Sequence, residues 1–242
     1  MLTFHSFTHP GSRPINEDSM AVLERNDRRC FVVADGLGGH GKGDIAAQML
    51  IEAFRREFQE AHGDAEAFLR RAFSAAQDAI LAEQRAQHAR QEMRTTAVAL
   101  VLQEGKARWG HVGDSRLYRF RKGKLRERTL DHSVTQALAL AGDIKEKQIR
   151  CHPDRNTLLR VIGDPEGGLR YELADEVLLS DEDAFLLCTD GFWDFIEEKA
   201  MRRALKQSAD ARQWLEAMKR EVEQNGTGAD MDNYTAITVM NE

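Results

Sequence analysis

The chain reads as an α+β fold of antiparallel sheets with helices on the outside. Two observations predict it. Apolar, strand-like segments come in blocks with only short polar turns between them, and helix-period segments come in pairs between those blocks. Within the central strand block no helix intervenes, so no parallel crossover is needed there.

Taken in order, Ser19 to Leu23 and Cys30 to Ala34 are two apolar runs joined by the charged turn Glu24 to Arg29, which reads as a hairpin. From Gly43 to about Arg90 apolar residues recur three and four apart (Ala46, Leu50, Ala53, Phe54, then Phe68, Ala72, Phe73, Ala76), predicting two amphipathic helices broken near His62 and Gly63. Strands follow at Ala97 to Leu102, Ala107 to Val112, Leu117 to Arg121 and Leu125 to Thr129. The turns Glu104-Gly105, Gly113-Asp114 and Lys122-Gly123 make these a meander. Ser133 to Pro153 is helical and polar, and the wider segment of about 131–165 is a candidate flap beside a site. Strands return at Leu169 to Leu173 and Ala184 to Cys188. Helices are expected near Glu197 to Gln207 and Ala211 to Gln224, then the Gly- and Asn-rich loop Asn225 to Asp230 and a last strand, Tyr234 to Val239.

The 242 residues suit one domain spanning 1–242, and 42% hydrophobic with 31% charged residues describes a globular chain. A net charge of −6 without a basic, aromatic-interleaved run argues against nucleic acid as partner. The longest apolar runs, such as Thr95 to Leu102, fall far short of the roughly 20 residues a membrane helix needs, so no membrane insertion is expected. Met1 to Asp18 lacks the basic start and apolar middle of a signal peptide, which points to the cytoplasm. Cys30 and Cys188 lie inside apolar strands and Cys151 stands apart, a pattern of buried thiols rather than a disulfide or zinc framework.

One stretch carries a decision. In CFVVADGLGGHGKGD, Gly36 to Gly43 holds five glycines, His40 and Lys42, and fits the phosphate-binding pattern G-x-x-x-x-G-K-[ST] except that Gly43 stands where the magnesium-holding hydroxyl belongs. An acid, Asp35, stands directly before the first glycine. The same opening recurs: FVVADG ends in Asp35-Gly36, and FLLCTDG in Asp190-Gly191. Asp232-Asn233 precedes the final strand, and Glu17-Asp18 precedes the first. Alone, each Asp-Gly is an ordinary turn pair. Together, carboxylates at the ends of several strands would build the hard, oxygen-only site that Mg²⁺ or Mn²⁺ prefers.

These segments resemble the metal-dependent serine/threonine protein phosphatases of the PPM, or type-2C, family in its compact stand-alone bacterial form. The matching stretches, in order, are GSRPINEDS, VVADGLGGHGKGDIAA, TTAVALVL, WGHVGDSRLYRFRKGKL, DHSVTQAL, NTLLRVIGD, FLLCTDGFWD and DNYTAITV. The resemblance implies a sandwich of two mainly antiparallel sheets flanked by helix pairs, an α-β-β-α layering. It implies that Asp35 bridges two Mn²⁺ or Mg²⁺ ions with the Gly36 carbonyl on one, that Asp190 and Asp232 ligate the other, and that Asp114 with Asp190 holds a third. Glu17 and Asp18 would hold metal-bound waters, Asn233 would support Asp232, and Arg13 would grip the substrate phosphate. Leu37 follows Asp35-Gly36 where eukaryotic members carry a proton-donating histidine, which leaves His40 or a water as the general acid.

The resemblance therefore implies hydrolysis of phosphoserine and phosphothreonine in proteins by metal-activated water, without a phosphoenzyme. It implies phosphoprotein substrates and an antagonistic serine/threonine kinase, for a chain expected to be monomeric. The overall likeness extends to members paired with the kinase that regulates type VI secretion. Two competing classes are a P-loop nucleotide hydrolase and a catalytically silent phosphoprotein-binding relative, the latter disfavoured by the intact Asp35, Asp190 and Asp232.

Overall fold

The computed structural model describes residues 1–37, 42–60, 63–89 and 92–241. In chain order its strands are β1 (Leu2–His9), β2 (Asp18–Arg25), β3 (Arg28–Leu37), β4 (Arg94–Thr95), β5 (Ala97–Gln103), β6 (Lys106–Val112), β7 (Arg116–Arg121), β8 (Lys124–Arg128), β9 (Glu172–Leu173), β10 (Val177–Leu178), β11 (Asp183–Cys188) and β12 (Tyr234–Asn241). The helices are α1 (Gly43–Glu60), α2 (Ala65–Ala86), α3 (Val134–Ala141), α4 (Asp190–Trp193), α5 (Glu198–Gln207) and α6 (Ala211–Asn225). None of the described helices is long and apolar enough to cross a membrane.

Two sheets form, with strand orders β1-β12-β11-β7-β8 and β10-β6-β5-β3-β2, β4 adding to β3 and β9 to β6. Every pairing among the described strands is antiparallel. The hairpins β5–β6 and β7–β8 turn on Glu104-Gly105 and Lys122-Gly123, each with both residues at positive φ (51° and 68°, 53° and 62°). That geometry matches the right-handed twist of the strands it joins, and glycine adopts it without steric cost.

The period-2 alternation of strands explains why the central strands are apolar without interruption. On β3, Cys30, Val32 and Ala34 face α1 and α2, while Phe31 and Val33 face the opposite sheet. On β11, Ala184, Leu186 and Cys188 face α4–α6, while Phe185 and Leu187 meet the sheet that contains β3 and β5. Three apolar layers result, helix to sheet, sheet to sheet and sheet to helix, giving the expected α-β-β-α order. The helix packing is aromatic: Phe54 meets Phe68 and Phe73 edge-on at 6.0 and 5.3 Å, and Phe120 meets Trp214 at 5.5 Å. Asp64 and Asp210 cap α2 and α6, each carboxylate accepting from the backbone N–H three residues on.

Four details depart from the sequence pattern, the first being that β6 and β7, expected as neighbours in one meander, lie in different sheets, so the Gly113-Asp114 turn crosses between them. β1, an edge strand paired with β12 over its whole length, has mixed polarity on both faces and gives no alternation signal. The expected strand over Leu169 to Leu173 pairs only at Glu172–Leu173, because Leu169 and Tyr171 bury against the α1/α2 layer as loop residues. The strand ends are also not turns: β3 runs on to Leu37, with Gly36 opposite Thr95, and Asp190 opens α4.

Candidate metal centre

Parity places the first acids. Asp35 continues the row Phe31, Val33 on the sheet-facing side of β3, and Asp18 lies directly opposite it in the β2–β3 register. The second sheet delivers Asp190 just past β11 and Asp232-Asn233 just before its neighbour β12. The β6–β7 turn adds Asp114. The result is a cleft of about 250 Å³ lined by Glu17, Asp35, Gly36, Asp114, Asp190 and Asp232 with Asn233, and closed on one side by Asn156 and Leu158 of the flap.

Local structure fixes each acid. The backbone N–H of Asp35 donates to Thr96 Oγ1 at 3.1 Å, and its carbonyl accepts from the Thr96 N–H at 2.8 Å and the Thr95 hydroxyl at 2.9 Å. Asp232 Oδ1 accepts from the Asn233 backbone N–H at 2.9 Å, while the Asn233 side chain braces the loop in front of it: it accepts from Glu17 N–H at 2.7 Å and donates to the carbonyls of Pro10 and Ile15. The support for Asp232 thus comes from the Asn233 main chain, and its amide positions the segment carrying Arg13 and Glu17. Arg13 is exposed at the lip, with Nε 3.1 Å from Asp232 Oδ1 and Nη1 3.5 Å from Asp230. Asp18 sits behind the cleft. One of its oxygens accepts from the Thr189 hydroxyl at 2.9 Å, and the other is buried without a partner. His40 lies outside the described residues.

The cleft is overloaded with negative charge. Burial, then the charges of Asp190, Asp18, Asp114 and Asp232, push the Asp35 carboxyl well above the ordinary carboxylate range. Asp114 is raised well above it by burial and Asp190, Asp190 is raised by burial, and burial lifts Asp18 to about 7. Glu17 is raised by burial and by Asp44 and Asp232, although its carboxylate accepts a hydrogen bond from the Gly43 backbone. All-oxygen donors, mutual repulsion and an orphaned Asp18 oxygen are what a divalent hard cation would relieve, so these residues fit Mn²⁺ or Mg²⁺.

Sequence reasoning missed the flap's contribution. Arg155 reaches into the cluster, Nη1 lying 3.7 Å from Asp190 Oδ2 and in close contact with Asp194. Arg150 ties the flap to the carbonyls of Trp193 and Ile196 at 3.1 and 3.2 Å. Arg116 is buried and bidentate on Asp131 at 2.8 and 2.6 Å, with its guanidinium stacked 3.4 Å above Trp193. The Trp193 indole N–H in turn donates to the Asp114 carbonyl at 3.0 Å. No spacing rule flags these, since HPDRN reads only as a polar loop.

A second cluster lies apart from the cleft. Only His111, His132 and Glu172, among the described residues, bring His, Cys or carboxylate ligand atoms within 4.8 Å of one another. Three of the four ring nitrogens are already engaged. His111 Nε2 donates to the Leu130 carbonyl at 2.8 Å, and His132 Nδ1 accepts from Gly113 N–H at 3.2 Å. His132 Nε2 therefore carries its proton toward Glu172 at 3.1 Å, and Arg160, 3.2 Å from the same carboxylate, supplies the cation. Burial pulls His132 down to about 4, so the stacked rings are neutral and pin the Gly113-Asp114 turn.

An α-β-β-α sandwich with an acidic, oxygen-only cleft at one end defines a class: hydrolases in which bound cations handle an anionic substrate. The family model for protein phosphatase 2C matches residues 8–234, and the chain belongs to that family. It is 32% identical over 197 residues to the serine/threonine phosphatase stp of Listeria monocytogenes, covering 79% of this chain and 77% of that protein. The catalytic domain of the serine/threonine phosphatase PstP, solved in complex with two manganese ions, superposes with a TM-score of 0.85 at 26% identity, covering 99% of this chain and 97% of the other. PppA, described as a key regulatory component of type VI secretion in Pseudomonas aeruginosa, superposes with a TM-score of 0.80 at 28% identity, covering 99% and 97%. The chain is a metal-dependent phosphoprotein phosphatase using Mn²⁺ or Mg²⁺.

Proposed function

We propose that this phosphatase removes phosphate from phosphoserine and phosphothreonine in proteins at the cleft between the sheet ends. Asp35 and the Gly36 carbonyl would hold one ion, Asp35, Asp190 and Asp232 a second, and Asp114 with Asp190 a third. The observation that carries this reading is the convergence of Asp35, Asp114, Asp190 and Asp232 from both sheets into one cleft, with Arg13 beside Asp232 and Arg155 beside Asp190. When bound, the ions supply the positive charge that draws phosphoryl oxygens in and acidifies water.

The chain's own groups do the rest. Glu17, lining the cleft and held by the Gly43 N–H, and Asp18, behind it and held by Thr189, are carboxylates with raised pKa, suited to accept and hold a proton from water. Arg13, half-exposed on Asp232, is free to swing its guanidinium onto a phosphate, a forked partner for two of its oxygens. Asn156 and Leu158 wall the cleft and keep solvent from one side. The antiparallel sheets and the Gly36–Gly43 contact speak against a P-loop. A phosphoserine substrate is the product of a serine/threonine kinase, which this chain would oppose. PppA superposes with a lower TM-score than PstP, 0.80 against 0.85, at similar identity, so the likeness singles out no pathway.

The test is phosphate release from a phosphothreonine peptide with Mn²⁺ and with excess chelator, for the natural chain and Asp190→Asn. Mn²⁺-dependent release that falls at least ~100-fold in the folded variant is expected. Release that survives chelation, or an Asp190→Asn variant of full activity, would refute the assignment.

A further inference from the structure

Thr189 occupies the residue before α4, in extended backbone (φ −79°, ψ 170°). Threonine at such a position ordinarily turns its hydroxyl onto the N–H groups of the first helical turn. Here it makes no such bond. The hydroxyl instead accepts from the Thr235 N–H at 3.0 Å, while the Thr189 N–H donates to the Thr235 carbonyl at 3.1 Å, extending the β11–β12 pairing beyond Cys188.

A hydroxyl has a single proton. With the Thr235 N–H directed at its oxygen, that proton goes to Asp18 Oδ2, 2.9 Å away, in a fully buried setting. The other Asp18 oxygen is left buried and without a partner. The Thr235 hydroxyl, which also favours the ionised form of Asp18, lies 2.7 Å from the Thr8 hydroxyl, which accepts from Asn16 at 2.8 Å. Four elements, β2, β11, β12 and β1, thus meet in one hydroxyl chain around a single acid.

We infer that Thr189 is a positioning residue: it gives up its helix-capping bond to fix Asp18 by one oxygen, leaving the other free for the cation or its water. The inference rests on the metal reading of the cleft. Removing the hydroxyl lets the Asp18 carboxylate rotate, and partners of this kind typically matter about 10- to 100-fold in metal affinity.

The experiment is calorimetric titration of Mn²⁺ into the full metal-free chain for the natural sequence, Thr189→Val, Thr189→Ser, Asp18→Asn and the Thr189→Val/Asp18→Asn double variant, with kcat and KM on a phosphothreonine peptide. Thr189→Val is expected to weaken one Mn²⁺ site about 10-fold or more and to lower kcat with KM little changed, and Thr189→Ser to restore both. The double variant is expected to bind as Asp18→Asn alone, because Thr189 acts through Asp18. Natural-like Mn²⁺ affinity in Thr189→Val, or losses that multiply in the double variant, would overturn the inference while leaving the metal reading intact. A natural chain that binds no Mn²⁺ would overturn both. Should Thr189→Val not fold, Thr189→Cys, with only a weak S–H donor, takes its place and is expected to lose most of the same affinity.

Discussion

The raised pKa of Asp18 makes the metal-free protein less stable than it would be without that acid, and Asp18→Asn exposes the cost. Burial lifts this carboxyl from 3.8 to about 7, against the hydrogen bonds from Thr235 and Thr189 that lower it. At about 1.4 kcal/mol per pH unit, the difference is about 4 kcal/mol. The folded state binds the proton more tightly than the unfolded chain, so stability is unaffected below pH ~4, is lost as pH rises toward 7, and is fully lost above it. His132, drawn down to about 4, and His111, also lowered, act in the opposite direction over part of this range. Both histidines are present in variant and natural protein and cancel in the comparison. Relieving the repulsion on Asp35 adds to the effect of the substitution with the same sign.

Urea denaturation in excess chelator at pH 5, 6, 7 and 8 measures this directly. The buried amide introduced by Asp18→Asn would lack an acceptor, which offsets the variant by about 1–3 kcal/mol at every pH. What decides the matter is the slope: Asp18→Asn gains on the natural chain by roughly 2.5 kcal/mol between pH 5 and 8, the rest of the effect falling below pH 5. With saturating Mn²⁺ the order reverses, since the natural chain alone keeps the full set of oxygen donors. A pH-independent difference in chelator, or one that shrinks with rising pH, would refute the picture of Asp18 as a buried, uncompensated carboxyl.

Arg155→Ala removes the flap's cation from Asp190 and Asp194, so limited proteolysis in chelator is expected to cut the flap faster, and added Mn²⁺ to restore protection. Gly36→Ala places a methyl 2.2 Å from the Gly43 carbonyl and 2.6 Å from that of Glu17, so the variant is expected to melt lower and to lose Mn²⁺ binding in calorimetry. Arg13→Ala removes the guanidinium at the lip without touching the buried acids, so steady-state kinetics should show KM rising several-fold more than kcat falls.

The layer order and most central elements were legible because β3, β5 and β11 are buried on both faces and their apolar runs are unbroken. The acids Asp35, Asp190 and Asp232 were legible for a related reason: a carboxylate ending a fully buried strand has no structural excuse unless something cationic receives it. Arg155 and Thr189 were not. Arg155 acts from a loop whose path depends on the bridges Ser133–Leu158 and Thr95–Ile162, and Thr189 looks like an ordinary helix cap until its hydroxyl is seen to face Asp18. β1 was missed because pairing with β12, rather than any alternation of its own, makes it a strand.

The near match to a phosphate-binding loop has a physical resolution in Gly36 and Gly43. A side-chain carbon on either would overlap the backbone of the other, so these glycines let the end of β3 touch the start of α1. A P-loop aims backbone N–H groups at an anion. Here the Gly43 N–H is directed to Glu17, and Lys42 pairs with Glu92 at 3.4 Å. Among the described residues of this stretch, the Gly43 N–H and the Lys42 ammonium both face the protein's own carboxylates. With Glu17, Asp35, Asp190 and Asp232 around Gly36, a phosphate dianion entering the bare cleft meets carboxyl groups that repel it where ionised and offer it no positive charge. Cations are therefore a condition of substrate binding here as well as of hydrolysis. Metal-free protein is accordingly expected to bind a phosphothreonine peptide at least ~10-fold more weakly than the Mn²⁺-loaded Asp114→Asn variant, which keeps the ligands of the first two ions. Equal affinity in fluorescence titration would refute this account of the cleft.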